Sequence, residues 1–290
     1  MATIRGGSVS HSPVSILSQI DFNGQVLTDE LLSRTFHQLM DEHGYVLMCN
    51  VTEEFDPVRF CRVLGSFVPN YTGAVVGDVR PEPGMDDVYH AGNTRPLTPH
   101  SEGYDFAFAP PRYIALWCIT PASGPGGETT LMDTRPLVAA LSEVERKQLL
   151  ETDYEWKTTE GVQRMGLDLK TRHPILEENP PGGPRGPGGP GDSEGSGGAG
   201  VSEGAGGAAG SGVPGGARDI VRFSCNNLIR DDDDFAAELQ DRWHAAFDRE
   251  HIAVEYHERD MLIWDNWRLL HARNAFSDRS RHLRRIQIAG

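Results

Sequence analysis

Lysine is nearly missing from this chain of 290 residues: only Lys147, Lys157 and Lys170 occur, and Lys and Arg together number 27 against 42 Asp and Glu. The formal net charge is −15 at pH 7. That balance argues against a nucleic-acid partner, because phosphate backbones are held by clustered cations. It also disfavours anionic membrane surfaces, and its plain consequence is solubility. No run of about 18 apolar residues is present, so no segment is expected to span a bilayer. The stretch Met1 to Ser18 has no basic region followed by an apolar one, so no secretory signal is expected. Cysteine is scarce too. Cys49, Cys61, Cys118 and Cys225 are scattered and form no Cys-x-x-Cys pair. A disulfide framework and a thiolate zinc site are therefore not expected; buried reduced thiols in a cytoplasmic protein are.

Glycine, by contrast, is abundant, with 33 residues, and much of it lies in one tract. Between Asn179 and Ala217 glycine and proline dominate, and Val201 and Val213 are the only aliphatic residues larger than alanine. Such a segment cannot bury enough apolar area to offset its conformational entropy, and it is expected to be disordered. The collagen period of glycine at every third residue is not kept. Strand patterns lie on both sides of the tract and neither half reads as a complete core. A single domain over 1–290 with an insertion at 179–217 is therefore expected. Position suggests two roles for the insertion, a passive surface loop or a lid over the site.

Thr28 is placed to cap a helix running to His43 and closed by Gly44, with Leu31, Leu32, Phe36, Leu39 and Met40 on one face. Tyr45 to Met48 reads as a buried strand, and Asp56 to Leu64 as a helix with Pro57 in its first turn. Thr72 to Pro99 reads as loop with one short strand. Tyr113 to Ile119 is a continuous apolar strand, and Thr134 to Leu150 one helix. Beyond the tract, Ile220 to Phe223 is a strand and Phe235 to Glu250 a helix capped by Asp232 to Asp234. Three strands close the chain: Ala253 to His257, Met261 to Asp265 and Leu283 to Ile288. Many short strands with three or four helices predict a mainly β fold, a sandwich or jelly roll flanked by helices.

The chemistry begins at Thr98-Pro-His-Ser-Glu. On an extended segment His100 and Glu102 share a face, and an imidazole beside a carboxylate forms two thirds of a facial triad for iron(II). Chance alone places about one or two His-x-acid pairs in a chain of this composition. Taken alone, the pair can equally be structural. His271, after the apolar strand Met261-Leu-Ile-Trp, is the candidate third ligand; the alternative is a core histidine bonded to backbone. Arg281 and Arg285 follow, on one face of the last strand. Arginine stays charged when buried and grips carboxylates in a bidentate manner. Two inward guanidiniums would require anionic partners; otherwise they belong to an exposed basic end.

These elements, in this order, resemble the clavaminate synthase-like and taurine dioxygenase-like (TauD/TfdA) superfamily of iron(II)/2-oxoglutarate dioxygenases. The resemblance rests on His43-Gly-Tyr-Val-Leu, Thr98-Pro-His-Ser-Glu-Gly-Tyr, Gly126-Gly-Glu-Thr-Thr-Leu-Met-Asp, Trp264-Asp-Asn-Trp-Arg with its following His, and the closing Arg-x-x-x-Arg. It implies a double-stranded β-helix, with His100, Glu102 and His271 as ligands of Fe(II). It further implies that Thr129 and Arg281 hold the distal carboxylate of 2-oxoglutarate, and that Arg285 faces the substrate. Glutamate as the second ligand, where aspartate is usual in taurine dioxygenases, is similar to clavaminate synthase and hydroxylases of free amino acids; a retained carboxylate argues against halogenation. The implied reaction consumes O2 and 2-oxoglutarate, releases succinate and CO2, and oxidises a small molecule; the branch it resembles points to an amino-acid-like one from specialised metabolism such as antibiotic biosynthesis. Hydroxylation, desaturation, epoxidation and ring closure stay open. A non-catalytic metal-binding jelly roll, a divalent-metal hydrolase, and an interaction protein built on the glycine tract are the competing classes.

Overall fold

The computed structural model describes residues 17–23, 25, 28–179, 218–229 and 233–290. Strand β1 (Gln19–Asp21), helix α1 (Asp29–His43), β2 (Tyr45–Cys49), α2 (Pro57–Leu64), β3 (Phe67–Val68), β4 (Val76–Val79), β5 (Leu97–His100), β6 (Tyr113–Thr120) and β7 (Thr129–Asp133) lead into α3 (Arg135–Ala139) and α4 (Glu143–Glu151). Next come β8 (Tyr154–Lys157), α5 (Glu160–Arg164), β9 (Lys170–His173) and β10 (Leu176–Asn179). After the glycine-rich tract follow β11 (Arg218–Val221), β12 (Leu228–Ile229), α6 (Asp234–Glu250), β13 (Ile252–Val254), β14 (Met261–Asp265), β15 (Leu269–Arg273) and β16 (His282–Ile288).

The architecture is mixed, mostly sheet with a few helices. A large sheet runs β1-β2-β14-β6-β16-β3 with β4 also on β16, and a four-stranded sheet runs β13-β7-β15-β5. Leu47, Leu116, Leu262 and Leu283 of the large sheet pack against Leu131, Val254 and Leu269 of the smaller one, forming the core between them. A second core lies between the large sheet and the helices α1 and α2, with Phe36, Met40 and Phe60 on Val46, Ala115, Ile263 and Ile286. A third covers the outer face of the smaller sheet, where Leu270 and Ala272 meet Trp156, Phe223 and Trp243. The smaller sheet thus has one face turned to the large sheet and one to α6.

Local signals explain the first helix well. Thr28 accepts a hydrogen bond from the Leu31 N–H, and Gly44 ends the helix at φ 79° with its amide bonded to Met40 O. A Cβ at Gly44 would also stand 2.4 Å from the Leu269 side chain, so close packing requires glycine twice over. Elsewhere the expectations need correction. The helix expected from Thr134 to Leu150 is two helices, because Ser142 and Glu145 form a capping box that starts α4 afresh. The stretch from Thr72 to Pro99, expected as loop with one short strand, carries β4 and most of β5. Four strands close the chain where three were expected, and the missed one, β15, carries His271. All five of its residues are buried, so it lacks the alternation that marks a half-exposed strand.

The disorder expected for 179–217, and the lid built on it, fall outside the described residues from 180 to 217, as does Asp232; Asp233 caps α6. β10 and β11 nonetheless pair antiparallel, Glu177 opposite Ile220, so both edges of the tract meet on one ladder. All four cysteines are free thiols. Burial pushes Cys49, Cys61 and Cys118 up to about 12, which keeps them protonated and unreactive. Among the described residues, no helix is long and apolar enough to cross a membrane.

Candidate active site

Strand pairing brings the two histidines together. β15 runs antiparallel to β5 with His271 directly opposite His100, and the ring centroids lie 4.1 Å apart. On β15 the alternation puts Leu269, His271 and Arg273 on the face towards the large sheet, because Leu270 and Ala272 belong to the outer core. Glu102 arrives differently from the expectation. It is not on an extended strand with His100 but in the turn after β5, where Gly103 takes φ 70°. Its Oε2 lies 3.8 Å from His271 Nε2, and one ligand atom from each of His100, Glu102 and His271 falls within 4.8 Å of the others.

Two residues that sequence reasoning missed hold Glu102 in place. Asn266, in the turn between β14 and β15, accepts from the Glu102 N–H at 2.7 Å and donates to Glu102 O and Pro111 O, both at 2.9 Å. Gln287 donates to Glu102 Oε1 at 2.9 Å, as does Arg285 through Nη1. Asn266 lies inside the quoted Trp-Asp-Asn-Trp-Arg segment, so its motif was visible but its task was not. Gln287 shares the inward face of β16 with Leu283 and Arg285, and period-two alternation was its available signal.

The site is built for neutral imidazoles. His100 is half-buried and its Nδ1–H donates to Thr98 O at 2.8 Å, leaving the Nε2 lone pair free for a ligand role. His271 is buried. Burial lowers the pKa of both rings; at His271 the neighbouring His100 adds to the effect. Two neutral nitrogens and one carboxylate oxygen are a donor set suited to a divalent transition metal, and the positions not filled by protein stay open to small ligands.

Beyond the histidines lies a second constellation. Arg281 is 2 % exposed, donates to Gly127 O at 2.7 Å through Nη2, and leaves buried Nη1 without a partner among the described residues. Gly127, at φ 84°, gives Arg281 its room: a Cβ there would stand 3.0 Å from Nε. Thr129 heads β7, and its hydroxyl shares a 2.8 Å hydrogen bond with Tyr256, a residue absent from the expectations. Burial raises the Tyr256 phenol pKa, against the opposing pull of Arg281. Arg273 was missed as well. It lies opposite Thr129 in the β15–β7 register and donates to Ala91 O and Arg95 O, both at 2.6 Å. Burial and Arg281 lower it to about 9. It ties the loop before β5 to the strand that bears His271. Arg281 and Arg273 lie 5.0 and 5.2 Å from the Phe276 ring centroid, so a buried cationic region surrounds that ring.

The histidine and glutamate cluster opens on a cavity of about 370 Å³, lined among others by Tyr71, Val76, His90, Leu97, Tyr104 and Arg285. Its size suits a metabolite. Arg285 thus faces both Glu102 and the cavity. Behind Glu102, buried Arg222 pairs with Glu177 and donates to Gly103 O at 3.2 Å, Phe106 O at 3.1 Å and Phe108 O at 2.9 Å, fixing the turn. Asp105 in the same turn takes hydrogen bonds from Tyr71 OH at 2.7 and 2.8 Å, yet burial raises it to about 6.

A family model described as taurine catabolism dioxygenase TauD, TfdA family, matches residues 10–287. The chain belongs to the TauD/TfdA dioxygenase family. That membership sets aside the interaction-protein, hydrolase and non-catalytic readings. As a TauD/TfdA protein it is also 26 % identical over 270 residues to a 3-((Z)-2-isocyanoethenyl)-1H-indole synthase from Fischerella ambigua, covering 91 % of this chain and 87 % of that one. Among solved structures, an asparagine oxygenase complexed with Fe(II), hydroxyasparagine and succinate superposes with TM-score 0.64 at 18 % identity, over 90 % of this chain and 79 % of the other. PvcB from Pseudomonas aeruginosa superposes with TM-score 0.58 at 19 % identity, over 100 % of this chain and 96 % of its own. These likenesses place the fold among TauD-like oxygenases.

Proposed function

We propose that this TauD/TfdA protein is an Fe(II)- and 2-oxoglutarate-dependent dioxygenase that oxidises a C–H bond of an amino-acid-like small molecule. The observation that carries the reading is the meeting of His100, Glu102 and His271 within 4.8 Å, with a buried, unpartnered Arg281 Nη1 on the same molecule. The donor set fits iron(II), and the orphaned guanidinium fits a carboxylate. When bound, iron(II) supplies joint activation of O2 and the 2-oxo acid, with succinate and CO2 as co-products.

The chain's own residues do the rest. His100, Glu102 and His271 hold the metal; Asn266 and Gln287 fix the carboxylate ligand, as outer partners of metal sites commonly do. Arg281 takes the distal carboxylate of 2-oxoglutarate, with Thr129 and Tyr256 beside it. Arg285 restrains Glu102 and offers its charge to an acidic group of the substrate. The surrounding sheets exclude water, which strengthens each of these interactions. In this reading the two facing sheets are a double-stranded β-helix, the jelly roll, and residues 1–290 form one domain with an insertion.

Amino acids are favoured because neighbouring folds include an asparagine oxygenase and an enzyme complexed with hydroxyarginine. A second outcome has its own support. The curated relative is named for an isocyanoethenyl product, and PvcB is described as acting in an isonitrile synthetic pathway, which favours desaturation of an amino-acid-derived isonitrile. Incubation with Fe(II), 2-oxoglutarate and a panel of amino acids and their isonitriles tests both. Oxygen-dependent succinate should appear with a product that has gained one oxygen, lost two hydrogens, or lost two hydrogens together with its carboxyl group as CO2. Substrate turnover in strictly anaerobic buffer without 2-oxoglutarate would overturn the proposal.

A further inference from the structure

His90 lies on the loop between β4 and β5 and lines the cavity with His100, Glu102 and Arg285. Its ring is held on two sides. The Gly92 N–H donates to Nδ1 at 2.9 Å, so Nδ1 is an acceptor and carries no proton. The Cγ–Cδ2 edge packs on Gly161, where a Cβ would stand 2.4 Å from each atom. A Cβ at Gly92 would lie 2.8 Å from Nδ1 and 3.2 Å from Cε1. Two glycines therefore let backbone close on the imidazole, which cannot turn without displacing one of them. Gly161 is fixed in turn, its amide bonded to Tyr89 O at 3.3 Å. Burial, then the charges of Arg285 and Arg273, keep the ring neutral by lowering its pKa. The remaining proton sits on Nε2, and that N–H has no hydrogen bond to any described residue.

We propose that His90 is a substrate-orienting residue: its Nε2–H, in the cavity that Arg285 also lines, takes a carboxylate or carbonyl oxygen of the substrate. The inference rests on the oxygenase reading of the cavity. With Nδ1 occupied, the ring can donate but cannot accept, so a substrate ammonium is excluded from that position. One Arg285 N–H group is already engaged by Glu102. A fixed neutral donor lining the same cavity adds direction where the guanidinium adds charge, and direction decides which C–H bond is presented.

His90→Asn separates the two tasks of the ring. Asparagine can still accept from the amide two residues on, as in an Asx turn, but its NH2 falls where Cδ2 stood against Gly161, so the donor at the Nε2 position is lost. The probe is acetate, titrated into full-length protein loaded with zinc(II) and 2-oxoglutarate and observed by 15N NMR of the imidazoles. His90 is assigned by its loss in His90→Asn. The expected result is an Nε2–H tautomer at pH 7, an acetate-dependent shift of that signal, and acetate binding about ten-fold weaker in His90→Asn, the worth of one hydrogen bond. A charged ring, an Nδ1–H tautomer, no acetate shift, or equal acetate affinity in the variant would each overturn the assignment. The same readouts on the metal-free chain decide the question if zinc and 2-oxoglutarate fail to bind, an outcome that counts against the oxygenase reading alone.

Discussion

Asn266→Ala is the most informative perturbation of the metal site that leaves every proposed ligand in place. Asn266 is 1 % exposed, and its amide serves the Glu102 N–H, Glu102 O and Pro111 O. Removal leaves three buried backbone groups short of a partner. An unsatisfied buried group costs about 1–3 kcal/mol, and partial relaxation brings the expected total to roughly 2–5 kcal/mol. For a chain of this size that corresponds to a fall in unfolding temperature of roughly 5–15 °C. The same change frees the backbone that aims the Glu102 carboxylate, so divalent-metal affinity should drop about 10–100-fold. Differential scanning fluorimetry and cobalt(II) titration read the two effects separately. Asn266→Asp keeps the acceptor for the Glu102 amide but turns a carboxylate towards two carbonyls, and should be no better than alanine. A variant with wild-type unfolding temperature and wild-type cobalt affinity would refute the claim that Asn266 positions the ligand.

Four other outcomes are expected. Arg281→Ala should weaken 2-oxoglutarate binding by roughly 2–5 kcal/mol, as for one desolvated charge pairing, while calorimetry shows metal affinity unchanged. Gly127→Ala should do the same more mildly, because its Cβ meets Arg281 Nε at 3.0 Å; unchanged 2-oxoglutarate affinity would reassign that subsite. Arg273→Met should release the loop at Ala91 and Arg95, seen as faster hydrogen exchange at 85–96 with the sheet itself protected. Asp105 has a folded pKa raised to about 6, so it disfavours the folded state increasingly as pH rises from the unfolded value near 4 through 6. Asp105→Asn should abolish that loss, gaining about 2–3 kcal/mol on wild type above pH 6 and almost nothing near pH 4 by urea unfolding.

The parts of this molecule visible in the sequence are those with local causes. Thr28 and Gly44 bracket α1, Pro57 opens α2, and the apolar run of β6 marks a central strand, because caps and uninterrupted burial are written into neighbouring residues. The candidate ligands were legible through their motifs. What the residues alone did not carry was the convergence. His271 sits on a strand with no alternation, buried on both faces. Glu102 reaches the histidines through a turn gripped by Asn266 and Arg222, each more than 100 positions away in the chain. Tyr256 and Arg273 lacked any pattern of their own, since a lone polar residue reads as surface until a fold buries it. The split between α3 and α4, by contrast, was available in the Ser-x-x-Glu box at Ser142.

In the proposed function, two imidazoles and one carboxylate form a single metal site. Fe(II) binding under anaerobic conditions, measured for the wild type and for His100→Ala, Glu102→Ala and His271→Ala, tests it directly. The expected result is one tightly held Fe(II) per chain in the wild type and near-complete loss in every variant, each still folded by circular dichroism. Retention of full Fe(II) affinity in any of the three variants would contradict it.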